Sequence, residues 1–172
     1  MLQVMRAEER ALTLKQCDLY SLCELCANEV EPRATLKRIR MRTTWNGEHR
    51  FLVQADEYLL HRAVMNLLSN AVKFSPANTE ISIEAKRLDG WNMIAINDQG
   101  PGIPPAALGR LFQRYERLEE QRSAQVETGI GLGLVFVDTV IRRHGGHVAV
   151  QSQEGQGSRF EIWLPEDPRP IQ

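Results

Sequence analysis

The strongest structural signal in the chain is a pair of strand-like runs, ISIEAKRL and WNMIAIND, joined by Asp89-Gly90. Asp-Gly suits the positive φ angles of a type I′ turn, so the two runs predict a β-hairpin. By the same argument, LKRIRMR and HRFLVQA around Asn46-Gly47 predict another hairpin. Near the end of the chain, HVAVQSQ and SRFEIWLP flank the turn residues Gly155 and Gly157 and predict two closing strands.

Several segments between the strands have the apolar spacing of helices. The clearest covers residues 58–72, where apolar residues recur at intervals of three and four. A second helix is predicted over residues 18–30, with an aspartate suited to cap its start and Pro32 just past its end. A third is predicted from 131 to about 144, ended by Gly145-Gly146 in the manner of a helix C-cap.

Two weaker helical patterns complete the outline. Residues 1–16 carry apolar side chains on one side and resemble the end of a longer helical element. A short helix is indicated by the spacing of Leu108, Leu111, Phe112 and Tyr115. Since hairpins and helices are interleaved, we predict an α+β fold in which a mixed sheet is covered by helices on one face.

Length and charge limit the class of protein. The chain of 172 residues is long enough for one domain with an ordinary core, and its 42% hydrophobic and 25% charged residues are typical of a globular protein. A net charge of -1 gives no bulk attraction to nucleic acid or anionic lipid. No apolar run reaches the length of a membrane span, and the first residues do not show the basic segment and apolar core expected of an export signal. We expect a cytoplasmic domain, whether or not the complete protein is anchored in the bacterial inner membrane.

Three cysteines, Cys17, Cys23 and Cys26, fall within ten residues. The C-x-x-C that they contain is found at some metal and redox sites, but a four-ligand zinc site needs a second pair of ligands at a matching spacing. The sequence has no such pair. Cys23 and Cys26 also recur at helical intervals with apolar neighbours, where free cysteine packs as a small hydrophobe. We therefore predict that these cysteines pack in the core.

The segment TGIGLGL places Gly129, Gly131 and Gly133 directly before an apolar helix. Glycines let the backbone approach a ligand, and the first amides of the helix point outward without partners. The positive end of the helix dipole lies behind them, so the segment suits a phosphate group. Gly-rich turns are common, and the segment is neither a P-loop nor a dinucleotide fingerprint, so the signal is weak on its own.

A second candidate is NDQGPGI, in which Asp98 closes the apolar run Ile94-Ala95-Ile96 just before Gly100 and Gly102. A loop explains the glycines, but it does not explain an acid at the end of a buried strand. A buried carboxylate needs a hydrogen-bond partner, and the exocyclic amine of adenine is a suitable one.

A third candidate is a polar stripe along the helix of residues 58–72. Asn66, Asn70 and Lys73 stand at i, i+4 and i+7, so their side chains share one face beside the apolar stripe. Amide oxygens can coordinate Mg²⁺ together with phosphate oxygens and water, and a lysine can reach the same phosphates. For this helix alone, exposed polar residues without a role are the commoner explanation.

In this order and spacing the motifs resemble the catalytic and ATP-binding domain of sensor histidine kinases, in the superfamily shared with gyrase, a heat-shock chaperone and a mismatch-repair ATPase. The resemblance covers residues 18–165. It rests on five ordered motifs: NLLSNAVKF for the N box, DQGPGI for the first glycine box, LFQRYER for the F box, GIGLGL for the second glycine box, and the closing HGGHVAVQSQEGQGSRFEIWLP. The resemblance implies a Bergerat-type two-layer α/β sandwich with a mixed, mostly antiparallel sheet.

The resemblance also implies roles for single residues. Asn70 would coordinate Mg²⁺ with help from Asn66, while Lys73 and Arg117 would neutralise phosphate charge. Asp98 would accept a hydrogen bond from the adenine amine. Phe74 would pack near the adenine or ribose, Gly102 would make room for the base, and Ser158 would join the water network around it. Gly129, Gly131 and Gly133 would hinge a lid over residues 104–128. The implied ATP-binding set also includes Gly100, Ile103, Phe112, Ile130, Leu132 and Leu134.

The reaction type follows from Asn66 and from a missing nucleophile. In the ATP-hydrolysing relatives a glutamate occupies this position and activates water, whereas asparagine has no basic group at neutral pH. The site would therefore hold ATP for transfer to another nucleophile. The family phosphorylates a histidine in a His-Glu-x-x-Thr/Pro-Pro setting, and none of the four histidines, His49, His61, His144 and His147, has that setting. We expect these four to be surface or packing residues.

The resemblance thus implies a protein-histidine kinase domain whose substrate histidine lies elsewhere. It assigns residues 1–16 to the end of a dimerising phosphoacceptor hairpin, 17–167 to the catalytic domain and 168–172 to a tail. Its implied partners are that hairpin and the receiver domain of a response regulator. The full-length protein would be a homodimer, and this stretch alone would be a monomer.

Two other functions remain open at this point. One is a serine/threonine protein kinase of the same fold, of the anti-sigma-factor type, which residues 1–16 disfavour because such small kinases begin near the first strand. The other is a module that binds nucleotide or a partner without catalysis. The intact N box and both glycine boxes favour nucleotide binding, but they say less about turnover.

Overall fold

The computed structural model describes residues 11–45, 51–112 and 133–166. Its strands are β1 (Lys15–Asp18), β2 (Arg40–Trp45), β3 (Leu52–Ala55), β4 (Glu80–Leu88), β5 (Trp91–Asp98), β6 (His147–Gln153) and β7 (Gly157–Pro165). Its helices are α1 (Leu19–Leu36), α2 (Glu57–Phe74), α3 (Pro105–Leu108) and α4 (Gly133–Arg143). No helix within these ranges is long and apolar enough to cross a membrane.

Five strands form one mixed sheet in the order β2-β4-β5-β7-β6, and β1 pairs with β3 in a small second sheet. Only the β2–β4 ladder is parallel among the ladders of the main sheet. The hairpin predicted at Asp89-Gly90 is confirmed, because Leu88 faces Trp91 across an antiparallel ladder. Asp89 and Gly90 have φ angles of 49° and 79°, as a type I′ turn requires. The predicted α+β class with a mixed, mostly antiparallel sheet is confirmed.

The hairpin predicted around Asn46-Gly47 is wrong. Strand β2 pairs with β4 and strand β3 pairs with β1, so the two flanking strands are not partners. Each strand faces a buried residue of its observed partner: Met41 faces Ile81, and Val53 faces Cys17. A turn signal is local, whereas the choice of partner depends on burial. The two turn residues themselves lie outside the described ranges.

Three helix predictions also need correction. The short helix expected from the spacing of Leu108, Leu111 and Phe112 lies earlier, at α3, and residues 109–112 form turns. The helix expected over residues 1–16 is wrong for residues 11–16: residues 11–14 have no regular structure, and β1 begins at Lys15. The N–H of Thr13 donates to the carboxylate of Asp56, which holds this segment against the start of α2 instead of in a helix. Residues 1–10 are not among those described.

The helix predicted over residues 18–30 continues through Pro32 to Leu36. Asp18 caps its start as predicted, accepting a hydrogen bond from the N–H of Tyr20. A proline inside a helix loses one backbone hydrogen bond. Here Val30 and Ala34 are both fully buried on the same face, so packing outweighs that loss.

Helices α1, α2 and α4 cover one face of the main sheet and close the core. Every apolar residue of the predicted α2 stripe is buried except Tyr58, which is 58% exposed. Cys17, Cys23 and Cys26 are free thiols buried in the same core, which confirms the packing interpretation. Burial raises the pKa of Cys17 to about 11 and that of Cys26 to about 12, so both stay protonated at neutral pH.

The other face of the sheet carries a polar network. The guanidinium of Arg159 donates to Glu84, Asn97 and Glu161, and the amide of Asn97 donates to Ser82 and Glu84. These residues lie on three neighbouring strands, so the network links β4, β5 and β7 across the sheet.

Asn92 has a buried side-chain amide whose effect on stability can be tested. It lies on β5 with 1% of its surface exposed, and neither amide atom has a hydrogen-bond partner among the described residues. We expect Asn92→Val to raise the free energy of unfolding by about 1–3 kcal/mol, because a buried amide without partners is replaced by an apolar side chain. Urea unfolding measures the change. Asn97→Val on the same strand is the contrasting control. Because it removes an amide that is hydrogen-bonded, this variant should be less stable than the unaltered protein. A loss of stability in Asn92→Val would contradict this assignment.

His144 joins the end of α4 to the start of α2. Its Nε2 accepts from the backbone N–H of Asp56 at 2.9 Å, and its Nδ1 lies 2.7 Å from the carbonyl of Val140. Nδ1 therefore carries the proton, and the ring is neutral in this arrangement. Burial lowers the pKa of His144, with Arg143 acting in the same direction and Asp56 opposing it.

The lowered pKa predicts a pH dependence of stability. Neutral His144 stabilises the fold fully above its unfolded pKa of about 6.5, and this contribution is lost as pH falls toward the lower folded pKa. We expect the urea concentration at the midpoint of unfolding to decrease when the pH is lowered from 7.5 to 5.5. The decrease should be smaller in His144→Gln, because glutamine cannot take up a proton. An equal decrease in both proteins would refute the role of His144.

Candidate functional site

The candidate site lies where four segments meet: the C-terminal half of α2, the loop after β5, the start of α4 and the β6–β7 turn. Asn66 is half-buried on α2, and its Nδ2 donates to the backbone carbonyl of Arg62 at 2.8 Å. Its Oδ1 faces α4, because a Cβ built on Gly133 would lie only 3.0 Å from that oxygen. The N box and the end of the second glycine box are therefore in direct contact.

Asn70 and Lys73 continue the same stripe toward the end of α2. Asn70 is half-buried, and within the described ranges its side chain makes no hydrogen bond. Lys73 is exposed, with its Nζ 5.5 Å from the ring centroid of Phe74. Phe74 is itself 41% exposed, which is unusual for a phenylalanine at the end of a buried helix. An unpaired amide, an ammonium and an exposed aromatic ring are thus available to a ligand on one face.

The end of α2 is held by Lys37, a residue that the sequence analysis missed. Its Nζ donates to the carbonyls of Val72, Lys73 and Ser75 at 2.8, 3.0 and 2.9 Å. The last carbonyls of a helix lack intrahelical donors and carry the negative end of the helix dipole. An ammonium group supplies hydrogen bonds to these carbonyls and a positive charge beside that negative end. No local pattern reveals this contact, because Lys37 precedes its partners by 35 to 38 residues.

We expect Lys37→Met to lower the free energy of unfolding by about 1–2 kcal/mol, because it leaves these carbonyls without their charged donor. The change keeps most of the aliphatic stem. Lys15→Met, at an exposed position of β1, is the matched control and should leave stability unchanged. Thermal or urea unfolding compares the variants, and equal stability of Lys37→Met and the unaltered protein would contradict the capping role.

Asp98 closes β5 at the opposite wall of the site. Its Oδ1 accepts from the N–H of Gly100 at 2.8 Å. Burial raises the pKa of Asp98, and hydrogen bonds from the backbone N–H groups of Gly100 and Ser158 offset part of that rise. A Cβ on Gly100 would lie 2.9 Å from this carboxylate oxygen and 3.3 Å from the carbonyl of Phe74. Glycine is therefore required where the loop after β5 passes the end of α2.

The loop beyond Gly100 packs against the turn between β6 and β7. Gly102 has a φ of 73°, and a Cβ there would lie 2.0 Å from the carbonyl oxygen of Gln153, so no other residue fits. The N–H of Ile103 donates to Ser152 Oγ at 2.8 Å, and Ser152 Oγ lies 2.9 Å from Ser158 Oγ. Ser158 faces Asp98 in the β5–β7 register. Ser152 is a second residue that sequence reasoning missed.

The structure thus brings together most of the predicted residues that it describes. Asn66 and Gly133 meet at one side, and Asp98, Gly100, Gly102, Ile103 and Ser158 meet at the other. Phe112 and Leu134 are half-buried, and Leu134 packs against the hydrophobic core. The remaining predicted residues lie outside the described ranges: Arg117, Gly129, Ile130, Gly131 and Leu132.

Comparison with known proteins agrees with this geometry. The pattern for the family described as Histidine kinase-, DNA gyrase B-, and HSP90-like ATPase matches residues 55–168. The chain belongs to this family. It is 33% identical over 154 residues to the alginate biosynthesis sensor protein KinB of Pseudomonas aeruginosa, an alignment that covers 90% of this chain and 25% of KinB.

Two solved structures support the same assignment. The mycobacterial sensor histidine kinase MprB has a TM-score of 0.77 and 30% identity, covering 91% of this chain and 100% of the MprB chain. Full-length ShkA in complex with AMPPNP has a TM-score of 0.83 and 27% identity, covering 99% of this chain and 35% of ShkA. Nearly all of the chain is thus similar to the ATPase domain of sensor histidine kinases, and it spans a quarter of the length of KinB.

Proposed function

We propose that this domain binds Mg·ATP between α2 and the loops after β5 and before α4, and passes the γ-phosphate to a histidine outside the chain. The contact between Asn66 and the backbone of Gly133 carries the proposal. It joins an amide-bearing helix to a glycine-rich helix start, and these are the two kinds of group that bind metal-bridged phosphates.

The donor set fits a magnesium–nucleotide complex. Asn70 has an amide oxygen that is free within the described ranges, and Lys73 is an exposed ammonium three residues later. We assign Asn70 to the metal with Asn66 assisting, and Lys73 to the phosphates. Arg117 and residues 129–133 are proposed to complete the phosphate site on the basis of the family motifs alone. When bound, Mg²⁺ would neutralise the charge of the β- and γ-phosphates.

The base end of the site is assigned to Asp98. Burial raises the pKa of its carboxyl group, two backbone N–H groups oppose that rise by donating to the carboxylate, and the carboxylate retains acceptor capacity for an exocyclic amine. Gly100 and Gly102 keep the adjacent loop clear of side chains, and Phe74 exposes a ring on which a base or ribose can pack.

Asn66 determines what happens to the bound nucleotide. Its amide cannot take a proton from water, so the residue orients groups without acting as a general base. Catalysis in such a site consists of positioning and charge neutralisation, which phosphoryl transfer permits. The acceptor is proposed to be a histidine on a dimerising helical hairpin. Of the predicted segment 1–16, only residues 1–10 are still assigned to the end of that hairpin, because β1 begins at Lys15. Residues 17–167 are assigned to the catalytic domain and 168–172 to a tail, and a response-regulator receiver domain is the proposed next acceptor.

Incubation with γ-labelled ATP and Mg²⁺ tests the reaction. The chain alone should bind ATP, release little phosphate and carry no label. When the phosphoacceptor hairpin of the parent protein is supplied as a separate polypeptide, that hairpin should acquire acid-labile, base-stable phosphate. Acid-stable label on the hairpin would indicate a serine/threonine kinase instead, and label on the chain alone would refute transfer to an outside histidine.

A further inference from the structure

Ser152 is the centre of a small hydrogen-bond network whose proton positions can be assigned. A serine hydroxyl has one proton to donate and two lone pairs that accept. The N–H of Ile103 must donate to Ser152 Oγ, at 2.8 Å. The carbonyl of Gly157 can only accept, so Ser152 Oγ donates its single hydroxyl proton to this carbonyl, also at 2.8 Å.

The donor in the third hydrogen bond of Ser152, the bond to Ser158, can then be assigned. Ser152 Oγ and Ser158 Oγ lie 2.9 Å apart. Because the proton of Ser152 is already committed to Gly157, Ser158 must be the donor in this bond. Ser158 therefore has no proton left for any other group, and its hydroxyl oxygen presents only lone pairs to the site.

Ser158 stands opposite Asp98 in the β5–β7 register, and an ionised carboxylate also has only acceptors. The side chains of Asp98 and Ser158 consequently offer acceptors alone, and the backbone N–H groups beside them already donate to Asp98. Adenine carries an exocyclic amine that donates, whereas guanine carries a carbonyl oxygen at the equivalent position. Acceptor side chains can bind the adenine amine directly or through a water. They would place the guanine carbonyl oxygen opposite another acceptor, which costs binding free energy.

We propose that Ser152, which does not itself contact the nucleotide, is a positioning residue for base selectivity because it fixes the proton of the Ser158 hydroxyl. The inference rests on the proposed nucleotide site. Through Ile103 the same hydroxyl also ties the loop that carries Gly102 to the β6–β7 turn, so Ser152 sets both the position and the hydrogen-bonding polarity of this wall.

The test is the ratio of the dissociation constants for Mg·GDP and Mg·ADP, measured by calorimetry on the full chain. In the unaltered protein this ratio should strongly favour ADP. Ser152→Ala frees the Ser158 hydroxyl to rotate and donate, so the ratio should fall by about tenfold, the equivalent of one hydrogen bond. Ser152→Thr keeps the hydroxyl and should retain the ratio. Ser82→Ala removes a hydroxyl that is hydrogen-bonded on the opposite face of the sheet, and it should have no effect.

A coupling measurement separates this role from general damage to the fold. Ser158→Ala should lower the ratio by itself, and adding Ser152→Ala in that background should change it no further. If Ser152→Ala does not unfold cooperatively, Ser152→Cys decides in its place, since a thiol is a weak donor of similar size, and the ratio should again fall.

The failure of this inference is distinguishable from failure of the proposed site. A folded Ser152→Ala or Ser152→Cys that retains the full preference for ADP would overturn the role of Ser152 while leaving the nucleotide site intact. If the unaltered protein binds neither Mg·ADP nor Mg·GDP, the proposed function itself fails.

Discussion

Asp98→Asn is expected to weaken Mg·ATP binding by about a hundredfold while the domain continues to unfold cooperatively. The amide retains an oxygen for the N–H of Gly100 but replaces the second acceptor by an NH₂ group, which would face the donor amine of the base. Burial raises the pKa of Asp98 and so disfavours its ionised form, a cost that a neutral amide avoids, and this offsets weaker bonding to the backbone N–H groups beside it. Calorimetry gives the affinity, and urea unfolding gives the stability.

The matched control is Asp89→Asn, the same chemical change at the other end of β5. Asp89 occupies the turn with a φ of 49°, a conformation that asparagine adopts readily, so the fold and the affinity should both be unchanged. An Asp98→Asn variant that binds Mg·ATP as tightly as the unaltered protein would remove Asp98 from the site. A variant that loses both affinity and cooperative unfolding would show that the carboxylate has a structural role instead.

Asn70→Ala is expected to weaken the binding of ATP in the presence of Mg²⁺ by about a hundredfold, because it removes the amide oxygen proposed to coordinate the metal. The affinity for ATP is measured with Mg²⁺ and with EDTA. In the unaltered protein Mg²⁺ should tighten binding strongly, whereas in the variant the two values should be equal. Alanine is a better helix former than asparagine, so the stability of α2 should not fall.

Asn28→Ala serves as the control for this change. It removes an exposed asparagine from α1, away from the candidate site, and should leave the magnesium dependence intact. If Asn70→Ala retains the full magnesium dependence, then the metal is held by other groups, and the half-buried amide of Asn70 is an unpaired polar residue without a role in binding.

The sequence predicts those parts of the fold that local chemistry determines. The Asp89-Gly90 hairpin is correct because a two-residue turn with positive φ angles and its two strands are contiguous. The hairpin at Asn46-Gly47 fails because β2 and β3 each pair with another strand, where Met41 faces the buried Ile81 and Val53 faces the buried Cys17. The continuation of α1 beyond Pro32 fails for the same kind of reason, since the burial of Ala34 outweighs a local helix-breaking signal.

The candidate site shows the same division between local and distant interactions. The motif residues on α2 and after β5 are predictable because their spacing places them on one face or one loop. Lys37 and Ser152 are not predictable, because Lys37 bonds to carbonyls at least 35 residues away and Ser152 bonds to Ile103 across 49 residues. Both act through backbone groups, which carry no sequence signature.

The crystal structure of this chain with Mg²⁺ and AMPPNP is the most direct test of the nucleotide site. The exocyclic amine of the base should lie within hydrogen-bond distance of Asp98, or be joined to it by one water. The metal should contact the amide oxygen of Asn70, and the phosphates should lie between α2 and the start of α4. A nucleotide bound elsewhere, or one whose base is far from Asp98 while Asn70 faces bulk solvent, would contradict the account.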